Sequence, residues 1–557
     1  MNNLLKFVIP LLTAGLAVAQ PDRIASDLKD AGKNKTVHVI VQFQHPPTDA
    51  HHKKIQDKGG KLHQTLGLIN AAHYSVPASA LDELSKDPEV VFITPDRAVK
   101  AHIDVATATI NAGIAASNYG VDGTGVTIAV IDSGMRSTAD LDGRILFQQD
   151  FVGGAGDDLY GHGTHVAGII GGSGNHSNDD SIRRFKGVAR NVSFVNLRAL
   201  DNNGNGTDSS VIAAIQSAIA LKSQYNIRVI NLSLGRGVFE SYKIDPLCQA
   251  VEQAWKAGIV VVVAAGNNGR DNSMGTSGYA TITAPGNDPY AITVGAMKTM
   301  GTTSRTDDQI ASYSSKGPTL LDHIVKPDLI APGNRVISAA ASDSYLFRTY
   351  PQTQVETKVY KEEGTNSSSA NYLQLSGTSM ATPMVSGSVA LLLQKYPQLT
   401  PDQVKARLMK TASKAFPASS IATDPTTGVS YVSHYDIFTV GAGYLDTLAA
   451  LQSTDVAPST SAMSPSVTVN PTTGAVSLIA GTNVVWGTNV VWGTNVVWGT
   501  NVVWGTSVLN AANVVWGTNV VWGTAATQGY NVVWGTNVVW GTTTRNAAES
   551  TMALGEN

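Results

Sequence analysis

Five short runs of mostly β-branched residues constrain this chain more than any other feature: Val126-Thr127-Ile128-Ala129-Val130-Ile131, Phe194-Val195-Asn196-Leu197, Val229-Ile230-Asn231-Leu232, residues 259–265 and Ala291-Ile292-Thr293-Val294. They do not alternate apolar with polar, so the strands they form are buried on both faces and belong to a parallel sheet covered by helices. Helical stretches fall between and after them, at 209–225, 247–256 and 401–411. The last opens on Thr400-Pro401-Asp402-Gln403, a capping-box pattern with proline at the first helical position. The expected class is α/β, a parallel sheet with helices on both faces. In such sheets chemistry gathers beyond the carboxyl ends of the strands.

That rule picks out particular residues. Asp132 follows the first run directly, in Asp132-Ser133-Gly134. Alone this string also fits a turn or half of an aspartic protease site, but that chemistry needs two carboxylates sharing a proton, and no second such strand end is found. Gly161-His162-Gly163-Thr164-His165 opens a short helix. A metal pair is the alternative, but no Glu lies between the two histidines and no third ligand is evident, so His162 is read as a general base. Asn267 ends the 259–265 run in Gly266-Asn267-Asn268-Gly269, either as a turn cap or as an oxyanion donor. Finally, Ser376-Gly377-Thr378-Ser379-Met380-Ala381-Thr382-Pro383 precedes an apolar run through Leu393. Proline fits a helix in its first turn, so Ser379 is expected at a helix N-terminus, where the macrodipole favours developing negative charge.

Asp-Ser-Gly, His-Gly-Thr-His-Val-Ala-Gly, Ala-Ala-Gly-Asn and Gly-Thr-Ser-Met-Ala-Thr-Pro, in this order, resemble the motifs of the subtilisin-like serine proteases, the subtilases. Asn231-Leu232-Ser233-Leu234-Gly235 and Lys326-Pro327-Asp328-Leu329-Ile330-Ala331-Pro332-Gly333 extend the similarity. The resemblance implies a secreted serine endopeptidase of broad specificity with Asp132, His162 and Ser379 as its triad and Asn267 in its oxyanion hole. It also implies that Ser233, Leu234 and Gly235 pair with an extended protein or peptide substrate. Gly204 and Gly206 would lie on the opposite edge of the cleft, and Ala264, Ala265 and Gly266 would wall the P1 pocket. No cofactor is required for this chemistry. Structural calcium is left open and unassigned, because 172–186 lacks a ligand pattern beyond Asp179 and Asp180. A long polar stretch, 342–370, is expected as a loop near the cleft.

The remaining segments differ in composition. Residues 1–19 read as a cleaved signal peptide: Lys6, an apolar core and Ala17-Val18-Ala19. That core is too short to span a bilayer, and no transmembrane anchor is expected. Residues 20–101 show a β-α-β-β-α-β rhythm suited to a small ferredoxin-like fold, with three of its four strands placed, at 37–43, 68–76 and 89–94. Its position resembles that of a subtilase propeptide, which assists folding and acts as an intramolecular inhibitor until removed. The catalytic domain is expected over 102–452 and a Ser/Thr/Pro-containing linker over 453–478. The final stretch, 479–557, repeats Asn-Val-Val-Trp-Gly-Thr and holds eight tryptophans from Trp486 to Trp540, with no charged residue between Val456 and Thr544. Its β-prone composition suits stacked short strands or cross-β association, and a role in binding a surface or its own kind. A second functional class follows from it: an adhesive surface protein whose protease serves mainly its own maturation. A formal net charge of −3 gives no sign of nucleic-acid binding. The single cysteine, Cys248, excludes an intramolecular disulfide.

Overall fold

In residues 1–101, the first of two units into which the chain divides, hydrophobic alternation builds a sheet with one covered face. The structure, a computed structural model, describes residues 23–25, 28, 35–96 and 105–456 except 155, 178–182, 362–369 and 425–426, then 462–469, 476–479, 490–492, 496–498, 501–504, 514–517, 552–553 and 555–556. The expected signal peptide and the Asp179-Asp180 pair lie outside the described residues.

The first sheet has four strands, β1 (Thr36–Phe43), β2 (Lys61–Leu66), β3 (Ala71–Pro77) and β4 (Val90–Pro95), in the order β2-β3-β1-β4 with every neighbour antiparallel. Helix α1 (Asp49–Gln56) joins β1 to β2, and α2 (Leu81–Leu84) precedes β4. Ile55 of α1 and Leu81 and Leu84 of α2 close over Val39, Val41, Tyr74, Val76 and Ile93, forming one core. The strand expected at 68–76 is shorter than its apolar letters suggested. Gly67–Ile69 is a 3-10 turn ended by Asn70 at φ 51, and β3 begins after it. The strand not placed from sequence is β2, whose Lys-Leu-His-Gln-Thr-Leu has little apolar content. Its pairing with β3 slips between Leu62 and Gln64, which leaves His63 in a bulge.

In the second unit, α3 (Val105–Thr109) and α4 (Ala112–Tyr119) lead into a mostly parallel sheet. Its strands are β5 (Thr127–Asp132), β6 (Ile145–Asp150), β7 (Ser193–Arg198), β8 (Ile227–Leu232), β9 (Val260–Ala264), β10 (Ile292–Lys298), β11 (Gln309–Ile310) and β12 (Leu329–Pro332). The order is β11-β10-β9-β8-β5-β7-β6, with β12 also beside β10. Only β11 runs antiparallel to its neighbour. Every residue of β5, β9 and β10 is buried, as continuous apolar runs require.

Helix α5 (His162–Gly171) follows β6, α6 (Asp208–Tyr225) follows β7 and α7 (Pro246–Lys256) follows β8. After β12 come β13 (Val336–Ala339), α8 (Tyr345–Thr349) and β14 (Tyr372–Leu375), with β13 and β14 antiparallel. Then follow α9 (Thr378–Lys395), α10 (Pro401–Thr411), an exposed hairpin of β15 (Ser419–Thr423) and β16 (Ser430–His434), and α11 (Thr447–Gln452). Buried nearly all round, α9 packs along β8, β9, β10 and β12 and against α5. At α10, Thr400 Oγ1 accepts from the Gln403 N–H and Gln403 Oε1 from the Thr400 N–H, the reciprocal pair its sequence encodes.

Residues 453–478 do not form a free linker throughout. Ala462, Ser464 and Val467 are buried in this unit, and β17 (Ser466–Val469) pairs with β18 (Val476–Ile479). The physical reason is a buried charge cluster. Ser464 Oγ donates to Asp328 Oδ1 and accepts from Lys405 Nζ at 2.9 Å, while Lys326 Nζ donates to Asp328 Oδ2 at 2.7 Å. Inside a fold such charges need every available partner. Further on, β19 (Val490–Trp492), β20 (Val496–Trp498), β21 (Asn501–Trp504) and β22 (Val514–Gly517) form an antiparallel sheet in sequence order.

Candidate active site

Asp132 is the last residue of β5, set at the carboxyl edge of the sheet by the apolar run before it. Its Oδ1 accepts from the Ser133 N–H at 2.7 Å and from His162 Nδ1, also at 2.7 Å. The Asp132 side chain is wholly buried and that of His162 is 7% exposed. Because Nδ1 carries the proton toward the carboxylate, Nε2 is the free base. Burial is the largest single influence on His162 and pushes its pKa down. The Asp132 charge, the hydrogen bond to it and the charge of Asp158 together outweigh burial and hold the pKa above its ordinary value.

Asp158, which the sequence reading did not single out, fixes the entry to α5. It accepts from the Gly161 N–H at 2.6 Å, the Thr164 N–H at 2.8 Å and Ser133 Oγ at 2.8 Å, while Ser133 Oγ accepts from the Gly163 N–H at 3.0 Å. Burial raises the Asp158 pKa against these bonds. A Cβ at Gly163 would stand 2.1 Å from the Gly134 carbonyl oxygen, so only glycine lets α5 approach the Asp132 turn this closely. The sequence signal was an acid three residues ahead of Gly161, the N-cap position of α5. His165, the other histidine of the motif, is structural. Its Nε2 lies 3.2 Å from the Val336 carbonyl and 3.1 Å from that of Leu373, and burial pushes its pKa down to about 3.

Ser379 is the second residue of α9, after Gly377 at φ 150. Pro383 is the sixth helical residue rather than a first-turn residue as expected. Lacking an N–H, it leaves the Ser379 carbonyl without its intrahelical donor. Ser233 fills the gap: its Oγ donates to the Ser379 carbonyl at 2.9 Å, and Ser379 Oγ donates to the Ser233 carbonyl at 3.0 Å. Asn231 Nδ2 in turn donates to Ser233 Oγ at 2.9 Å. Asn267 Oδ1 accepts from the Thr378 N–H at 2.9 Å and from its hydroxyl at 3.0 Å. A backbone N–H only donates, so the amide atom facing it must be the oxygen. The Nδ2 donors are thereby left over, with no partner among the described residues.

His162, Ser379 and Asn267 line one cleft of about 460 Å³. Gly204, Asn205 and Gly206, and Ser233, Leu234 and Gly235, are also in its lining. Ala264, Ala265 and Gly266 are not in this lining: Ala264 and Ala265 are buried at the end of β9, and the Gly266 N–H is bound to Thr378 Oγ1 at 3.2 Å. Arg236, also in the lining, is held by Asp208 and Asp245. Tyr160 stacks on Tyr345 with centroids 5.8 Å apart, so the described part of the 342–370 stretch buttresses a cleft residue.

Met552 lies at the same cleft, which no sequence signal announced. Its carbonyl accepts from the Ser376 N–H at 2.8 Å. Glu556 anchors this segment: its carboxylate is buried against Arg270, Lys298 and Ser312, while Asn334 Nδ2 donates to its carbonyl at 2.8 Å.

Comparison with known proteins shows the family. Residues 123–434 match the Subtilase family, Peptidase S8. Serine protease AprX of Bacillus subtilis (strain 168) is 35% identical over 401 residues, 68% of this chain and 84% of that protein. The extracellular serine proteinase of Thermus sp. (strain Rt41A) is 36% identical over 353 residues, 61% of this chain and 70% of that protein. A crystal structure of a cold adapted subtilisin-like serine proteinase shares 32% identity, covers 53% of this chain and 85% of that one, and gives a TM-score of 0.39. The chain belongs to the subtilase family and is a serine protease, a hydrolase of peptide bonds.

Proposed function

We propose that this chain is a secreted endopeptidase of broad specificity, made as a zymogen, in which Asp132, His162 and Ser379 act as a triad. The observation that carries the reading is the 2.7 Å Asp132–His162 contact in the cleft that also holds Ser379 and Asn267. Rotation about the Ser379 Cα–Cβ bond turns Oγ from the Ser233 carbonyl toward His162 Nε2. His162 takes the hydroxyl proton as Oγ attacks the substrate carbonyl, then returns it to the leaving amine. Asp132 keeps the imidazole in the useful tautomer and stabilises the imidazolium. Asn267 Nδ2 and the Ser379 N–H at the head of α9 receive the oxyanion. Water then gives a proton to His162 as it attacks the acyl carbonyl; the bond to Ser379 Oγ breaks, the proton returns to Oγ and the carboxylic acid product leaves.

Segments 204–206 and 233–235 supply backbone to the cleft, and main-chain pairing reads any extended peptide. Met552 adds a wall beside Ser376, so substrates enter a groove narrowed by the chain's own segment. Residues 1–19 are assigned as a signal peptide and 20–101 as a propeptide that assists folding and inhibits until severed. Secretion is supported by the short apolar leader and by the relative whose name says extracellular. No helix among the described residues is long and apolar enough to cross a membrane.

The test is Ser379→Ala, produced without other proteases. Loss of the triad serine costs about 10⁶ in kcat in subtilisin, so the variant should keep residues 20–101 attached. The wild type should show a new N-terminus between Lys100 and Asp104. The same cut in purified Ser379→Ala would assign it to another protease.

A further inference from the structure

The solvent face of the first sheet carries a histidine cluster that the protease chemistry does not use. His38 lies on β1, His63 on β2 and His73 on β3, and one ring nitrogen from each comes within 4.8 Å of the others. The register explains the convergence. Ile40 of β1 and Gln64 of β2 both stand opposite His73, so His38 is its diagonal neighbour from one side. The bulge at His63 brings a third ring in from the other side. His63 and His73 have centroids 4.7 Å apart, and His38 and His63 5.3 Å. Asp96, directly after β4, places Oδ2 3.4 Å from His73 Nε2.

We infer that His38, His63, His73 and Asp96 form a binding site for a divalent first-row transition metal of the Zn²⁺ type. Bonds of 2.0–2.1 Å in a tetrahedron put neighbouring donor atoms about 3.3 Å apart. The His38 Nδ1–His73 Nε2 separation is 3.2 Å and the His73 Nε2–Asp96 Oδ2 separation is 3.4 Å, two edges of that tetrahedron already at length. The remaining edges close by rotation of the exposed side chains of His63 and Asp96. Imidazole donors select zinc, nickel, cobalt or copper over magnesium and calcium. Three neutral rings and one carboxylate leave a single negative charge to meet the cation.

The ligands come from β1, β2, β3 and the residue that follows β4, so one ion would tie together every strand of the sheet. A unit this small buries little apolar surface, and the chain holds no disulfide to help it. Binding therefore favours the folded state of this unit by mass action.

The experiment uses the full chain carrying Ser379→Ala, which silences proteolysis, titrated with Co²⁺ and read by the visible absorption of tetrahedral cobalt. One equivalent should bind and be displaced by Zn²⁺. His63→Ala and His73→Ala should each weaken binding by about tenfold or more. His45→Ala, which removes another exposed histidine of the same unit, should leave it unchanged. His63 is exposed, His73 is half-buried and neither belongs to the core of this unit, so their removal spares it, and circular dichroism checks this for each variant. Absence of saturable binding at one equivalent would overturn the site, as would binding that survives both His63→Ala and His73→Ala or weakens equally in His45→Ala.

Discussion

Along β1 buried residues alternate with more exposed ones, whereas β5, β9 and β10 are buried throughout. The difference decides where each unit can keep polar side chains. An antiparallel sheet with one open face displays them along its strands, and His38, His63 and His73 gather there from three adjacent strands. A parallel sheet covered on both faces has no such room, so Asp132 sits at the end of its strand and Asn267 just past the end of another. Deep inside that second unit the charges of Lys326, Asp328 and Lys405 are paired with one another and with Ser464. Polar side chains at strand ends should therefore carry rate, and polar side chains in the interior should carry stability.

The strongest way to break that division is at Asp132. Asp132→Asn should lower kcat by about 10⁴, the loss known for this change in a chymotrypsin-type triad, with little loss of stability. A base works only when unprotonated, so activity rises with pH through the His162 titration, whose midpoint lies above the ordinary imidazole value. Without the Asp132 charge, burial dominates and the midpoint should move to lower pH. A pH–rate profile of kcat/KM checks both, and an unmoved midpoint would remove Asp132 from its electrostatic role.

Asn267→Leu comes next. It should reduce kcat by roughly 10²–10³ with KM nearly unchanged, the magnitude found for the corresponding donor in subtilisin. Steady-state kinetics on a short peptide decide it; activity within a few-fold of wild type takes Asn267 out of the oxyanion hole.

Ser464→Ala sharpens the other half of the comparison. It strips one partner from both Asp328 and Lys405, whose pKa burial has already pushed down to about 7. Denaturant unfolding should show a loss of about 1–3 kcal/mol, with kcat unchanged. A fall in kcat at unaltered stability would mean that the interior cluster acts on the site.

The candidate residues that share the cleft could be picked out because strand ends and helix starts have local signatures. Asp132 follows an unbroken apolar run, Ser379 precedes one, and Asn267 ends one. The unread parts depend on contacts distant in sequence or on weak local pattern. Asp158 looks like any loop acid until Gly161, Thr164 and Ser133 converge on it. Ser464 sits in a stretch whose composition says linker, and nothing near it in sequence announces Lys405. Strand β2 was missed because its outward residues outnumber its inward ones, and Pro383 was placed a turn too early because the Ser233 hydroxyl that replaces its missing N–H lies far away in the chain. Of the P1 wall expected from Ala264, Ala265 and Gly266, the two alanines are buried and Gly266 is half-buried.

The most direct measurement is covalent labelling of the wild-type chain with a fluorophosphonate, followed by peptide mapping. The account predicts one adduct per chain, on Ser379, and its loss in His162→Ala. An adduct on a different serine, or labelling that proceeds at the same rate in His162→Ala, would contradict it.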